Sequence, residues 1–272
     1  MTGCGNATSF DGGVPRAYET HLVPLLFEPY AEDLAERVRA LGPASVLEVA
    51  AGTGAATRAM ASALPKSVSI VATDLNQPML DQAAELGAAR PVLWKQADAL
   101  QLPFADRSFD AVVCQFGVMF FPDRPRGFAE ARRVLRPGGT YLFSAWDALP
   151  ANELAEIVQE SLGALFPNDP PRFMERLPHG YHDPARIEAD LAAGGFAVPP
   201  RIDRVTRRSR ARSARDAAVA YCYGTPLRHE IESRAPGRLD DAVAVAETAI
   251  ARRFGRGAVD AKMQAFVVAV EA

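Results

Sequence analysis

The chain has 272 residues with 49% hydrophobic and 23% charged side chains and a formal net charge of -3. That suffices for one large α/β domain with a small lid, and it offers no overall basic field to hold a nucleic acid. No apolar run approaches the ~18 residues of a membrane span. Residues 1–14 carry neither the basic nor the apolar region of a secretory leader, so a cytoplasmic protein is expected, with this segment mobile. The three cysteines, Cys4, Cys114 and Cys222, are far apart and form no C-x-x-C pair, which argues against a disulfide framework or a metal site.

In chain order, Arg16 to Leu41 reads as a helical region interrupted by Pro24 and Pro29 and ended by Gly42-Pro43. Strands and helices then alternate. Strands are expected at Ser45–Val49, Ser67–Thr73, Pro91–Gln96, Asp110–Gln115 and Gly139–Trp146. Helices are expected at Ala55–Leu64, Pro78–Leu86 and Pro125–Leu135. This rhythm predicts a parallel sheet with right-handed crossovers. Beyond Asp147 the pattern predicts helices at Ala151–Phe166, Asp183–Ala193, Ser213–Tyr223 and Leu239–Phe254. A proline-rich loop at 167–178 and a glycine- and proline-rich break at 225–237 separate them, and strands follow at Phe196–Thr206 and Met263–Val270. Seven arginines between Arg201 and Arg215 read as a solvated strand edge.

The most informative segment is Val46 to Gly54. A short apolar strand holding an acid, Glu48, stops at the turn Gly52-Thr53-Gly54 and a helix follows at once. Such a turn leaves backbone N–H groups free and lets a ligand approach the main chain. A second acid, Asp74, lies 20 residues after Gly54 at the end of the next strand, a spacing that suits a carboxylate on a ribose. Two more loops end neighbouring strands: Ala97-Asp98-Ala99 before Leu102-Pro103-Phe104, and Gln115-Phe116 after Phe109-Asp110. A ligand touching all four loops is long and amphipathic, with an amino-acid-like end, a ribose and a heteroaromatic base.

These residues, completed by Arg133-Val134-Leu135-Arg136-Pro137-Gly138-Gly139, resemble a class I S-adenosylmethionine-dependent methyltransferase of the ubiquinone/menaquinone-biosynthesis-like small-molecule group. The resemblance covers Ser45 to Asp147 well and the rest in outline. The family usually has Asp-x-Gly-Cys-Gly in its first motif, where this chain has Glu48 and Ala50-Ala51. The resemblance implies a doubly wound, Rossmann-like seven-stranded sheet with the last strand antiparallel. It implies an N-terminal helical lid at 1–42 and a methyltransferase domain at 43–272, with helical insertions at about 148–195 and 207–258. The implied cofactor is S-adenosyl-L-methionine and the implied partner a small-molecule methyl acceptor, the protein being a monomer or homodimer.

Residue roles follow from the resemblance. Glu48, Ala50, Gly52 and Gly54 belong to the loop around the methionine part. Asp74 takes the ribose hydroxyls, while Leu75 and Met79 pack on the adenine. Ala97, Asp98 and Ala99 form the loop that meets the base edge. Gln115 faces the ammonium, and Tyr18 covers the sulfonium end. No metal is implied. No catalytic residue stands out; His21, His179, His182 and His229 are candidates for a general base. The alternatives are an NAD(P)-dependent oxidoreductase and a non-catalytic S-adenosylmethionine-binding protein. The first normally needs a third glycine, where this chain has Thr57.

Overall fold

A computed structural model describes residues 14–272. Cys4 and almost all of the 1–14 segment lie outside the described residues. After a single turn, α1 (Val14–Ala17), the chain forms a ten-residue π-helical stretch over Tyr18–Phe27 and then α2 (Glu28–Leu41). Neither proline breaks this region. Pro24 lies inside the wider helix, and Pro29 sits in the first turn of α2, where its missing N–H costs nothing.

The alternating segment gives β1 (Ser45–Val49), α3 (Ala55–Ala63), β2 (Ser69–Asp74), α4 (Gln77–Leu86), β3 (Leu93–Gln96), β4 (Phe109–Gln115), α5 (Arg124–Val134) and β5 (Leu135–Trp146). There follow α6 (Glu153–Leu165), α7 (Phe173–Arg176), α8 (Pro184–Ala193), β6 (Arg201–Ala211), α9 (Ala214–Gly224), α10 (Leu227–Arg234), α11 (Leu239–Phe254) and β7 (Val259–Glu271). One seven-stranded sheet has the order β3-β2-β1-β4-β5-β7-β6. Strands β1 to β5 pair in parallel, and β7 runs antiparallel to both β5 and β6. The chain therefore switches direction of travel across the sheet between β1 and β4, the place where an open α/β sheet binds ligands.

Five expectations need correction, the first being that the proline-rich stretch 167–178 expected as a loop contains the one-turn helix α7. The 225–237 break contains a helix, α10, held by buried Leu227 and Ile231. The Arg136–Gly139 turn lies inside β5, where pairing with β4 slips by a bulge between Phe109 and Ala111 and Gly138 takes φ +77°. The strand expected at Phe196–Thr206 begins at Arg201 and runs to Ala211, so residues 207–211 belong to the sheet and not to a helical insertion. The last strand is thirteen residues long because it pairs along its length with both β5 and β6.

Alternate residues of β5 show how the two faces are covered. Tyr141 and Phe143 point to α5, with ring centroids 5.8 and 5.4 Å from Phe128. Trp146 points to the other face and meets Tyr30 of α2 edge-on at 5.4 Å. Helix α2 also crosses to the edge strand: Tyr30 donates to the Val205 carbonyl at 3.1 Å, and Arg37 and Arg207 pair with Asp203 and Asp33. Strand β6 is the sheet edge, and each of its arginines finds a carboxylate. Arg201 meets Asp203, Arg204 meets Asp147, Arg207 meets Asp33, and Arg208 and Arg210 share Asp260. Arg212 and Arg215, just beyond the strand, pair with Asp216 and Glu247. The run is a neutralised edge, not a free cationic patch.

Candidate functional site: two adjoining cavities at the strand ends

The first cavity, of about 820 Å³, opens at the C-terminal ends of β1, β2, β3 and β4. Its most ordered feature is Asp74, the last residue of β2, which is buried. One carboxylate oxygen accepts from the Gly52 N–H at 2.8 Å and the other from the Asn76 N–H at 2.8 Å. The Asn76 side-chain amide adds a third contact at 3.3 Å, so Asp74 holds both the glycine turn and its own following loop in place at the cavity wall. Burial pushes its pKa up, against the backbone hydrogen bonds that pull it down.

The turn itself is shaped by two glycines with different duties. Gly52 lines the cavity at φ +57°. Gly54 does not line it. It sits at φ +85°, and a Cβ there would lie 2.7 Å from the Trp94 ring, so it serves the close packing of α3 on the sheet. Ala50 lines the cavity at φ +55° and Phe116, at the end of β4, at φ +54°. Left-handed backbone is costly for residues with a Cβ and gathers at functional sites. The two loops touch: a Cβ on Gly117 would fall 2.5 Å from the Ala50 Cβ.

Glu48 also stands away from the cavity wall. Its side chain points under the turn and accepts a short hydrogen bond from the Thr57 hydroxyl of α3. Burial raises its pKa to about 8, with the nearby Asp74 charge adding to the shift. Largely protonated at neutral pH, it ties β1 to α3 and does not line this cavity.

The remaining wall brings together the other residues singled out in the sequence. Leu75 and Met79 lie beside Asp74, one exposed and one buried. Ala97, Asp98 and Ala99 form the third loop. There one Asp98 oxygen accepts from the Leu100 N–H at 2.9 Å, while the Ala99 N–H has no partner among the described residues. Gln115 donates through its side-chain amide to the Phe27 carbonyl at 3.3 Å, which leaves its buried Oε1 without a partner among the described residues. Tyr18 of the π-helical stretch closes the top. Next to it, Glu19 pairs with Arg58 of α3 at 2.6 Å, and Arg58 also donates to the Thr53 carbonyl of the turn.

The second cavity, of about 570 Å³, shares Tyr18, Phe116 and Phe120 with the first. Its walls come from the π-helical stretch, from Trp146 at the end of β5, and from the helices that follow the sheet's parallel half. Phe116 and Trp146 stack at 3.9 Å with an interplanar angle of 7°. Of the histidine candidates, His179 lines this cavity, whereas His21, His182 and His229 do not. Phe116 was placed in a ligand-facing loop without a role of its own, and Phe120, Trp146 and Phe173 went unassigned in the sequence. The strand-end positions of Phe116 and Trp146 were a usable signal, but Phe173 opens the one-turn helix α7 inside a proline-rich stretch that carries none.

The chain matches known families along this same stretch. The family described as Methyltransferase domain matches residues 47–143. A demethylmenaquinone methyltransferase of Deinococcus radiodurans is 43% identical over 99 residues, covering 36% of this chain and 41% of the relative. One from Thermus thermophilus is 31% identical over 186 residues, covering 62% of this chain and 84% of the relative. The chain belongs to the class I S-adenosylmethionine-dependent methyltransferases. It falls in their ubiquinone/menaquinone-biosynthesis group. Among solved structures, the Haemonchus contortus phosphoethanolamine N-methyltransferase in complex with S-adenosyl-L-methionine shares the fold. Its TM-score is 0.58 at 18% identity, covering 94% of this chain and 56% of that one. Against the Deinococcus relative the alignment spans about two fifths of its length. The family's cofactor fits the first cavity on this chain's own atoms: a buried strand-end carboxylate, a loop N–H unpaired among the described residues and an orphaned buried amide oxygen converge there.

Proposed function

We propose that this protein transfers a methyl group from S-adenosylmethionine to a small molecule held in the second cavity. The observation that carries this reading is the junction of the two cavities at Tyr18, Phe116 and Phe120, one polar at its strand-end loops and one aromatic. Asp74 holds the ribose hydroxyls from the end of β2. Asp98 and the Ala99 N–H meet the adenine edge, and Leu75 and Met79 its faces. Gln115 Oε1 accepts from the ammonium. When bound there, the cofactor supplies an electrophilic methyl carbon on a sulfonium, already a good leaving group. The protein's part is then to align an acceptor atom behind that carbon and to exclude water. Tyr18 and the stacked Phe116–Trp146 pair form the dry wall around that point.

The paired arginines of β6 support a small-molecule acceptor over a nucleic acid, since no free cationic face is presented there. The N-terminal segment, pinned by Glu19–Arg58 and Gln115–Phe27, acts as a lid over both cavities. Calorimetric titration of the protein with S-adenosylmethionine and, separately, with NADPH tests the reading. Binding of the first and none of the second is expected. The reverse would replace methyl transfer with hydride transfer.

A further inference from the structure

Helix α5 begins with a residue that breaks two local rules. Arg124 opens the helix, so a cation sits at the positive end of the helix dipole. It is also half-buried, and no carboxylate among the described residues pairs with it. Asp190, whose charge reaches it through space, is paired instead with Arg186 of α8 at 3.2 Å. Burial holds the Arg124 pKa below the ordinary guanidinium value, and its Nε has no hydrogen-bond partner among the described residues. Arg133, on the same helix, shows the usual arrangement: Glu130 and Asp106 neutralise it. Local rules broken without an ionic compensation point to a task beyond stability.

What Arg124 does touch are the walls of both cavities. Its Nη2 donates to the Met119 carbonyl at 2.9 Å. Met119 is the middle of the short 3-10 turn Val118–Phe120. Phe120 lines both cavities, and Phe121 and Pro122 line the first. The guanidinium carbon lies 4.3 Å from the centroid of the Tyr181 ring, within the range of a cation–π contact. Tyr181 is buried and follows His179 and Gly180 directly. His179 lines the second cavity, with its Nδ1 2.8 Å from the Asp147 carbonyl just past β5. The chain turns tightly between the two, because a Cβ on Gly180 would collide with the Arg176 carbonyl. Helix α5 is a stiff support for these contacts. A Cβ on Gly127 would lie 2.7 Å from the Phe121 ring, and one on Gly194, just past α8, would lie 3.0 Å from the Pro125 carbonyl. No residue of the 177–183 stretch lines the first cavity, so Arg124 is a side-chain route from the cofactor-side turn to that stretch.

We propose that Arg124 is a positioning residue for methyl transfer: it locks the turn at Phe120 to the turn at His179, so that filling the first cavity orders a wall of the second. The inference rests on reading the first cavity as the S-adenosylmethionine site. A ligand there stills Phe120, Phe121 and Pro122. The Met119 carbonyl then fixes the guanidinium, and the guanidinium fixes Tyr181. Arginine suits this task and lysine does not, because one planar group stacks by its face while it donates by its edge.

Hydrogen exchange read by mass spectrometry tests the inference, with S-adenosylhomocysteine as the ligand. Two stretches decide it. The Phe120 and Phe121 amides are held by the Gly117 and Val118 carbonyls, and the His179 and Gly180 amides by the Met174 and Leu177 carbonyls. In the wild type, saturation should slow exchange at least about fivefold in both stretches, the size of an ordinary coupling between sites. In Arg124→Lys, affinity for the ligand should stay within about twofold and the 118–122 stretch should keep its protection, while the ligand-dependent slowing at 177–183 falls below about twofold. A merely structural arginine would speed exchange at 177–183 equally with and without ligand and leave that slowing intact, which overturns the proposal. Tyr181→Phe keeps the ring face and should behave as wild type. Tyr181→Leu should match Arg124→Lys, and the double variant should be no worse than either single one. Absence of protection at 177–183 in wild type that binds the ligand also overturns the proposal. Failure of S-adenosylhomocysteine to bind at all, read by calorimetry, overturns the reading of the first cavity instead. If Arg124→Lys does not fold, the Tyr181 variants still decide: equal protection in Tyr181→Leu and wild type overturns the proposal.

Discussion

The two cavities meet at Phe116 and Phe120 yet are built by opposite means. The first is made of strand ends: Asp74, the turn at Gly52, and the loop at Ala97 to Ala99 present backbone groups and carboxylates at positions that the sheet register holds. The second is made of side chains from helices packed over the sheet, and almost none of its polar atoms is fixed by sheet geometry. A ligand read by backbone needs a specific turn, so its site tolerates little change. A ligand read by side-chain shape needs only volume and polarity, so its site can be rebuilt residue by residue.

The largest effect that would sharpen this contrast is expected at Gly54. Replacing it with alanine adds left-handed strain and drives a methyl into the Trp94 ring, and together these should destabilise the protein by about 3 kcal/mol. Chemical denaturation measures it; a loss below about 1 kcal/mol would mean that the turn is not rigidly held. On the other side, Phe173→Leu should change acceptor kcat/KM by about tenfold while cofactor affinity stays within about twofold, since Phe173 lines only the second cavity. Paired calorimetry and kinetics would reveal equal losses in both if the two sites were not separable.

Glu48 gives a pH test. Its folded pKa, about 8, lies above the ordinary carboxylate value of 4.5, so the folded state prefers the protonated form. The stability it contributes is complete below pH 4.5 and is lost as pH rises through about 8. Glu48→Gln removes that titration and should flatten the fall in Tm across this window. Parallel wild-type and variant curves would show that Glu48 is not buried as a neutral acid. The smallest effect is at Ala50, where the family's usual motif has glycine. Ala50→Gly relieves a left-handed alanine and should raise stability by up to about 1 kcal/mol, read as a shift in denaturation midpoint.

What could be read in the sequence follows the same division. The first five strands and their loops were legible because apolar runs stop at glycines and acids, and a parallel sheet puts those stops on one edge. Asp74, Asp98, Gln115 and Tyr18 all reach the first cavity. Glu48 and Gly54 do not line it because they support the turn from beneath: one ties β1 to Thr57, the other makes room for Trp94. Helix α10 was hidden because its glycine- and proline-rich flanks look like loop. The start of β6 was misplaced because its pairing with β7, not its own hydrophobicity, decides where it begins. The second cavity was mostly unreadable for a plainer reason: apart from His179, singled out in the sequence, its residues such as Phe173 and Met174 are ordinary core residues until the fold brings them to one place.

The central claim is that Asp74 anchors a ribose-bearing cofactor at the end of β2. Calorimetric titration of S-adenosylmethionine into wild type and Asp74→Asn tests it most directly, with thermal melts to confirm that both are folded. The account predicts a loss of affinity of about a hundredfold or more in the variant, since one ionised acceptor oxygen facing the ribose becomes an amide donor. Affinity within about threefold of wild type in a folded Asp74→Asn protein would contradict it.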